Sequence, residues 1–469
     1  MENTKILENR YRILFAVLIG SMLGPIDASV VNIAMPTFSK VFNAPVTTVS
    51  WVSMSYLLVL SSLLLTFGRL GDLVGYKSLY ILGMGIFTAS SLFCGLAGNI
   101  YVLILFRALQ AAGAGMMMAV APAIITNIFP KNERGKALGF NAMSVAVGLA
   151  IGPSLGGFLL TYYGHSSIFL INIPIGISGM ILSYNVLPVF EGSKKEPFDI
   201  EGAFLAFVFL FSTLTLLSKG QEFGISSLKS VILILLAIFS FIFFMLREKS
   251  YSHPMLDLAL FKNRMFAASN LSCLLNFTAQ YMMIFLMPFY LSSSGFSSRE
   301  IGIIMTAFPL TVLLVAPISG ILSDRLGSLI LSTTGAGICT LALLFLSKMP
   351  LNIKATDVII RLIIFGIGNG LFQTPNNSSV MGSAPRDKQG VASGVLATMR
   401  NTGMVLGTAL SGGLLSIRQN YHLRIMPGSS NITQLAFIYG IKDTLLLAAL
   451  IDFVCLLASS KRGRNEEKG

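Results

Sequence analysis

Long apolar runs alternate with short polar connections along almost the whole chain. The runs centre on 13–36, 48–67, 79–98, 100–128, 137–161, 167–188, 202–218, 229–246, 265–291, 301–322, 329–347, 357–381, 390–416 and 437–459. Each is close to the roughly 20 residues that cross a hydrocarbon layer as a helix. The pattern therefore predicts an all-α polytopic membrane protein with 14 transmembrane helices. The first run is too long for a cleaved signal and reads as a span.

Charge fixes the expected orientation. Only 11% of the residues are charged and 54% are hydrophobic, against about 25% charged in a soluble domain. Of 33 Lys and Arg, 21 fall in the N-terminus, every second connection and the C-terminal tail, and 8 in the remaining connections. Four (Arg107, Arg361, Arg400, Lys442) lie inside spans. The bias places both termini on the cytoplasmic side of the cell membrane. The net charge of +13 then faces the anionic leaflet, and nucleic acid is not needed to explain it. Cys94, Cys273, Cys339 and Cys455 sit singly in apolar runs, and His165, His253 and His422 fall in polar connections. No metal site, cofactor site or disulfide framework is expected from them.

The chain repeats at an offset of about 252 to 255 residues. Gly68, Asp72 and Gly75 return as Gly320, Asp324 and Gly327; Arg107 as Arg361, with Gly113 and Gly115 against Gly366 and Gly368. Gly135, Gly139, Gly148, Gly152 and Gly157 return as Gly390, Gly394, Gly403, Gly407 and Gly412. Spans 1–6 thus map onto spans 9–14, leaving two spans inserted. The expected domains are a six-helix bundle over 1–190, a linker with two inserted helices over 191–262, and a second six-helix bundle over 263–469. Two parallel bundles of this kind suit a transporter with a midplane site.

Few residues inside the spans carry chemistry. Asp27 must be protonated, paired or face a wet cavity, since an ionised carboxylate at depth costs several kcal/mol. It is a candidate proton carrier and cation partner; a structural carboxylate is the plainer reading. Arg107 stays charged and can hold a nearby carboxylate ionised, or it can snorkel to the outer surface. Gln110 lies one turn away. Asp452 is a second proton candidate, with Arg400 as a possible partner, and Lys442 beside Asp443 suggests an outer pair. Asn276, Gln280, Tyr281, Phe285 and Tyr290 offer hydrogen bonds and aromatic faces to a substrate, as do Trp51 and Tyr56.

Two glycine-rich segments point to motion. In GRLGDLVGYK (68–77) the glycines allow a tight turn, and Asp72, Arg69 and Lys77 can form a latch or a fixed salt bridge. Its spacing fails the phosphate-loop pattern. In GLAIGPSLGG (148–157) the small residues give a smooth helix face and Pro153 allows a bend. The GPSLG inside it is not a nucleophile elbow, because it lies in a spanning helix instead of a strand-to-helix turn and no histidine lies in any span.

These segments together resemble the signatures of the major facilitator superfamily, in its fourteen-span drug:proton antiporter branch. GRLGDLVGYK is similar to the loop 2–3 signature, IDASVVNIAMP to that of the first span, RALQAAGAG to that of the fourth and GLAIGPSLGG to that of the fifth. HPMLDLALFKNR and GSAPRDKQGVASGVLATMRNTG extend the likeness over nearly the whole chain. The resemblance implies the major facilitator fold. It further implies proton and substrate coupling at Asp27 and a proton relay through Arg107. Conformational switching falls to Gly68, Asp72, Gly75 and Lys77, and an interdomain hinge surface to Gly148, Gly152, Pro153, Gly156 and Gly157. Spans 10 and 13 lack the interior acids that some multidrug members carry.

The expected activity is proton-coupled efflux of small amphipathic compounds by alternating access, not catalysis. A dedicated exporter or symporter of one metabolite is the alternative. The expected partners are a small-molecule substrate, the proton as coupling ion and the lipid bilayer, with the chain acting as a monomer. Substrate-binding candidates are Asp27, Trp51, Tyr56, Gln110, Asn276, Gln280 and Phe285; proton-coupling candidates are Asp27, Arg107 and Asp452.

Overall fold

The computed structural model describes residues 9–130, 133–189, 199–224, 227–250, 258–350, 353–385, 389–425 and 431–462. These residues form α1 (Arg10–Val41), α2 (Val46–Val74), α3 (Tyr76–Gly95), α4 (Ile100–Ile128), α5 (Arg134–Tyr163), the single turn α6 (Ser167–Leu170) and α7 (Asn172–Val186). They continue as α8 (Ile200–Phe223), α9 (Leu228–Ser250), α10 (Arg264–Ser293), α11 (Ser298–Leu326), α12 (Ser328–Ser347), α13 (Ala355–Ser383), α14 (Gln389–Ile425) and α15 (Ile432–Ser460). Eleven of the described helices are long and apolar enough to cross a membrane, α6 and α7 counting as one. The polar link at 191–198 and the tail at 463–469 lie outside the described residues.

Local chemistry sets the helix ends. Asn99 caps α4 by accepting from the amides of Tyr101 and Val102, and Asn263 caps α10 in the same way through Met265 and Phe266. Ser297 and Glu300 form a reciprocal capping box at the start of α11. The corner between α2 and α3 is a single residue, Gly75, at φ 91°, and its counterpart between α11 and α12 is Gly327 at φ 86°. A side chain at either would strain the left-handed backbone, which explains the glycine at both.

The surface is that of a protein in lipid. In its most apolar stretch α9 is only 11% buried, and it exposes Val231, Ile232, Leu235, Ile238, Phe239, Ile242 and Phe243. Each such side chain left in water forgoes about 1.5–3 kcal/mol, so water is the wrong solvent for this face.

By contacts the chain divides into two compact units, Met1–Leu210 and Phe211–Gly469. Within the first, α1 packs on α4, α5 and α7, and α3 packs on α4 and α7. Within the second, α10 packs on α13, α14 and α15, and α12 on α13 and α15. The order of partners is the same, as the repeat requires.

Close approaches fix the register of that repeat. A Cβ on Gly148 would meet the Met22 carbonyl at 3.2 Å and one on Gly403 the Leu274 carbonyl at 2.5 Å. Gly152 and Gly407 face the carbonyls of Ile26 and Thr278 in turn. Asp27 of α1 therefore corresponds to Ala279 of α10. Gly113 of α4 meets Gly83, and Gly368 of α13 meets Gly335. This pairs Gly113 with Gly368, not Gly366, and corrects the sequence alignment of Arg107 with Arg361. The residue matching Arg107 is the buried Leu362, while Arg361 donates to the Phe345 carbonyl. Glycines are frequent enough here for a two-residue slip to pass unnoticed in sequence.

Candidate functional site

The first unit holds Asp27 and Arg107 in one buried cluster. Asp27 is 1% exposed, on the stretch of α1 just after Pro25, and Arg107 of α4 is also 1% exposed. An Arg107 terminal nitrogen donates to Asp27 Oδ2. Asp27 Oδ1 accepts from Gln110 Nε2 at 3.0 Å and from Asn172 Nδ2 at 2.9 Å. Arg107 also donates to Gln110 Oε1 at 2.6 Å and, through Nε, to the Val52 carbonyl at 3.3 Å. Its guanidinium carbon lies 4.2 Å from the centre of the Tyr56 ring. Ser91 receives a further bond from Gln110 at 2.8 Å.

A guanidinium this deep does not snorkel, so the interfacial reading of Arg107 is overturned. The pair neutralises two charges whose separate burial would cost several kcal/mol each. Asn172 and Ser91 were not singled out in the sequence. A lone Asn at the start of a span and a Ser in a helix are too common to signal a site. Asn172 Oδ1 is buried with no hydrogen-bond partner, immediately beside the carboxylate. Trp51 and Tyr56 are both buried in α2, and Tyr56 covers Arg107.

The second unit has a different network. Asp452 of α15 is 0% exposed, and it accepts from Asn276 Nδ2 at 3.0 Å and from Thr340 Oγ1 at 3.2 Å. Its partners are thus neutral, and Arg400, the possible partner that the sequence offered, is not among them. Asn369 donates to Asn276 Oδ1 at 3.2 Å and to Gln280 Oε1 at 3.1 Å. Gln373 donates to Gln280 Oε1 at 3.2 Å and to Asn369 Oδ1. Asn369 and Gln373, one turn apart on α13, escaped the sequence reading, although amides at i and i+4 in an apolar span were the available signal. Phe285 is buried against Phe289, their ring centres 5.3 Å apart.

Elsewhere the partners differ from expectation. Asp443 is held by Arg418 Nη2 and His422 Nε2, each at 2.7 Å, so Lys442 is not its partner; Lys442 lies 5.2 Å from the Tyr439 ring centre. His422 is in α14 and not in a connection, because that helix runs past its apolar part. Lys77 lies 5.3 Å from the ring centre of Tyr184. The side chains of Arg69 and Asp72 lie outside those described, and Gly68 stands within α2 with open space around it. Gly148, Gly152 and Gly156 line the α1–α5 contact within the first unit, with Pro153 and Gly157 buried beside them. No group of three or more His, Cys, Asp or Glu placed to hold a metal occurs among the described residues.

This helix order, with buried polar clusters inside apolar helices, defines a multi-pass membrane transporter. Residues 17–408 match the family model of the Major Facilitator Superfamily, and the chain belongs to that family. It is 35% identical to the riboflavin transporter RibZ of Clostridioides difficile (strain 630), covering 96% of this chain and 97% of that protein. It is 29% identical to the multidrug resistance protein Stp of Mycobacterium tuberculosis (strain ATCC 25618 / H37Rv), covering 86% of this chain and 75% of that protein. Among solved structures, a bacterial homologue of the human lysosomal transporter Spinster superposes with a TM-score of 0.71 at 16% identity, covering 96% and 97% of the two chains. The last likeness concerns the fold alone. The matches are to transporters and none of these is an enzyme, so the chain moves small molecules across a membrane.

Proposed function

We propose that this protein carries one metabolite of the flavin class across the cytoplasmic membrane, coupled to protons, by alternating access. The observation that carries the reading is end-to-end similarity to a riboflavin transporter, over 96% of this chain and 97% of that one. In this reading the chain crosses the bilayer fourteen times, with both termini cytoplasmic and two helices inserted between two six-helix bundles. Asp27 is the coupling carboxylate and Arg107 its counter-charge. Asp452, whose hydrogen-bond partners are neutral, is a second candidate for the proton.

Geometry around Asp27 supports the coupling role. Three donors hold the ionised carboxylate, while the orphaned Asn172 Oδ1 waits beside it. A half-turn of that amide presents an acceptor to a protonated Asp27, so the carboxyl keeps its hydrogen bonds in either charge state, while Arg107 is left to Gln110, Val52 and the Tyr56 ring. Segments 68–77 and 148–157 serve the switch between states, through Gly68, Asp72, Gly75 and Lys77 and through Gly148, Gly152, Pro153, Gly156 and Gly157.

Multidrug efflux is the second reading, favoured by the 29% identity to Stp. The deciding experiment measures radiolabelled riboflavin movement in reconstituted vesicles beside a panel of cationic dyes and drugs. Saturable riboflavin transport, without transport of the panel, is expected. Transport of the panel with none of riboflavin would overturn the metabolite reading.

A further inference from the structure

The amides of the second unit form a chain in which almost every hydrogen-bonding group is used. Asp452 accepts from Asn276 Nδ2, so the Asn276 oxygen must point the other way and accept from Asn369. Both Asn369 N–H groups are then spent, on Asn276 Oδ1 and Gln280 Oε1. Both Gln373 N–H groups are spent too, on Gln280 Oε1 and Asn369 Oδ1. Gln280 Oε1 therefore accepts twice, which fills its two lone pairs.

Of the two glutamines, the Gln280 Nε2 donor and the Gln373 Oε1 acceptor remain without a protein partner among the described residues. Flipping Gln280 would set its N–H groups against two donors, and flipping Gln373 would set oxygen against oxygen. While Asp452 accepts from Asn276, the free ends have one polarity, and Gln373 is only half-buried. Fully connected amides of this kind favour a partner with the matching sequence of donors and acceptors, because a mismatched partner leaves buried polar groups unpaired.

The geometry points to Gln280 and Gln373 as a donor–acceptor edge that reads the cyclic imide of a flavin substrate, the imide N–H donating to Gln373 Oε1 and an adjacent carbonyl accepting from Gln280 Nε2. This rests on the flavin reading above and adds the part of the molecule that is recognised. Asp452, Asn276 and Asn369 act as positioning residues, holding the edge in its polarity.

The test compares riboflavin with N3-methylriboflavin, which has lost the imide N–H, as substrates of the full-length protein in vesicles. The wild-type protein is expected to prefer riboflavin by about tenfold or more, the cost of leaving an acceptor unpaired. Gln373→Met is expected to bring that ratio near one while still carrying the methylated compound, a change that general loss of structure would not produce. A wild-type ratio near one overturns the inference without any variant, as does a Gln373→Met ratio equal to that of the wild type. Flavin transport with an unmoved ratio leaves the flavin reading standing and removes this edge. Carriage of neither flavin removes both.

Discussion

Asn172 Nδ2 lies 2.9 Å from Asp27 Oδ1, joining α7 to α1 across 145 positions of the chain. It shares that oxygen with Gln110, while Arg107 takes the other. The carboxylate of α1 is therefore held by residues of two other helices, α4 and α7, and any movement of one of the three against the others changes its environment.

Replacing Asn172 with Leu removes one donor to a buried charge and should cost about 1.5–3 kcal/mol. The expected result is a lower melting temperature in detergent and a displaced pH profile of transport. A variant with wild-type melting and an identical pH profile would show that the amide is a bystander.

Removing Arg107 alone leaves Asp27 buried without its cation, at about 3–5 kcal/mol. Arg107→Leu is accordingly expected to unfold readily or fail to accumulate in the membrane. The double variant Asp27→Asn/Arg107→Leu should regain most of the loss, since neither charge is then stranded. A double variant no more stable than Arg107→Leu would mean that the guanidinium acts chiefly through Val52 and Tyr56.

The glycine contacts differ in tightness, and substitutions should follow them. A Cβ at Gly407 would stand 2.3 Å from the Thr278 carbonyl, whereas nothing lies within 4 Å of one at Gly68. Gly407→Ala should cost about 1–3 kcal/mol by forcing α10 and α14 apart. Gly68→Ala, inside a helix and in open space, should match or exceed wild-type stability. Thermal unfolding of the two purified variants gives the comparison directly; equal losses would contradict the packing described.

Much of this architecture is written in the apolar runs, because a helix in lipid must satisfy its own backbone and be long enough to cross. The expected stretches fall on described helices, the sixth on α6 and α7 together, with α1 and α14 running beyond their apolar parts, and eleven of them are long and apolar enough to cross a membrane. Asp27, Arg107 and Gln110 were legible because polar groups are scarce in such spans. Asn172, Ser91, Thr340, Asn369 and Gln373 were not, since small polar residues also serve plain helix packing and, apart from the one-turn pair Asn369–Gln373, these partners lie 19 to 145 positions away in contacts no local pattern encodes. The register of α13 against α4 was misread for a related reason: the glycine spacing admits two alignments, and only the Gly335–Gly368 approach selects one.

The central claim is that the buried acid of α1 links cargo movement to protons. It is tested most directly by imposing a pH gradient across vesicles holding either wild-type protein or Asp27→Asn, and following riboflavin. The wild type should drive riboflavin against its concentration gradient, with a direction that reverses with the sign of the pH gradient. Asp27→Asn should exchange labelled for unlabelled riboflavin but accumulate none. Equal gradient-driven accumulation by both proteins would contradict the account.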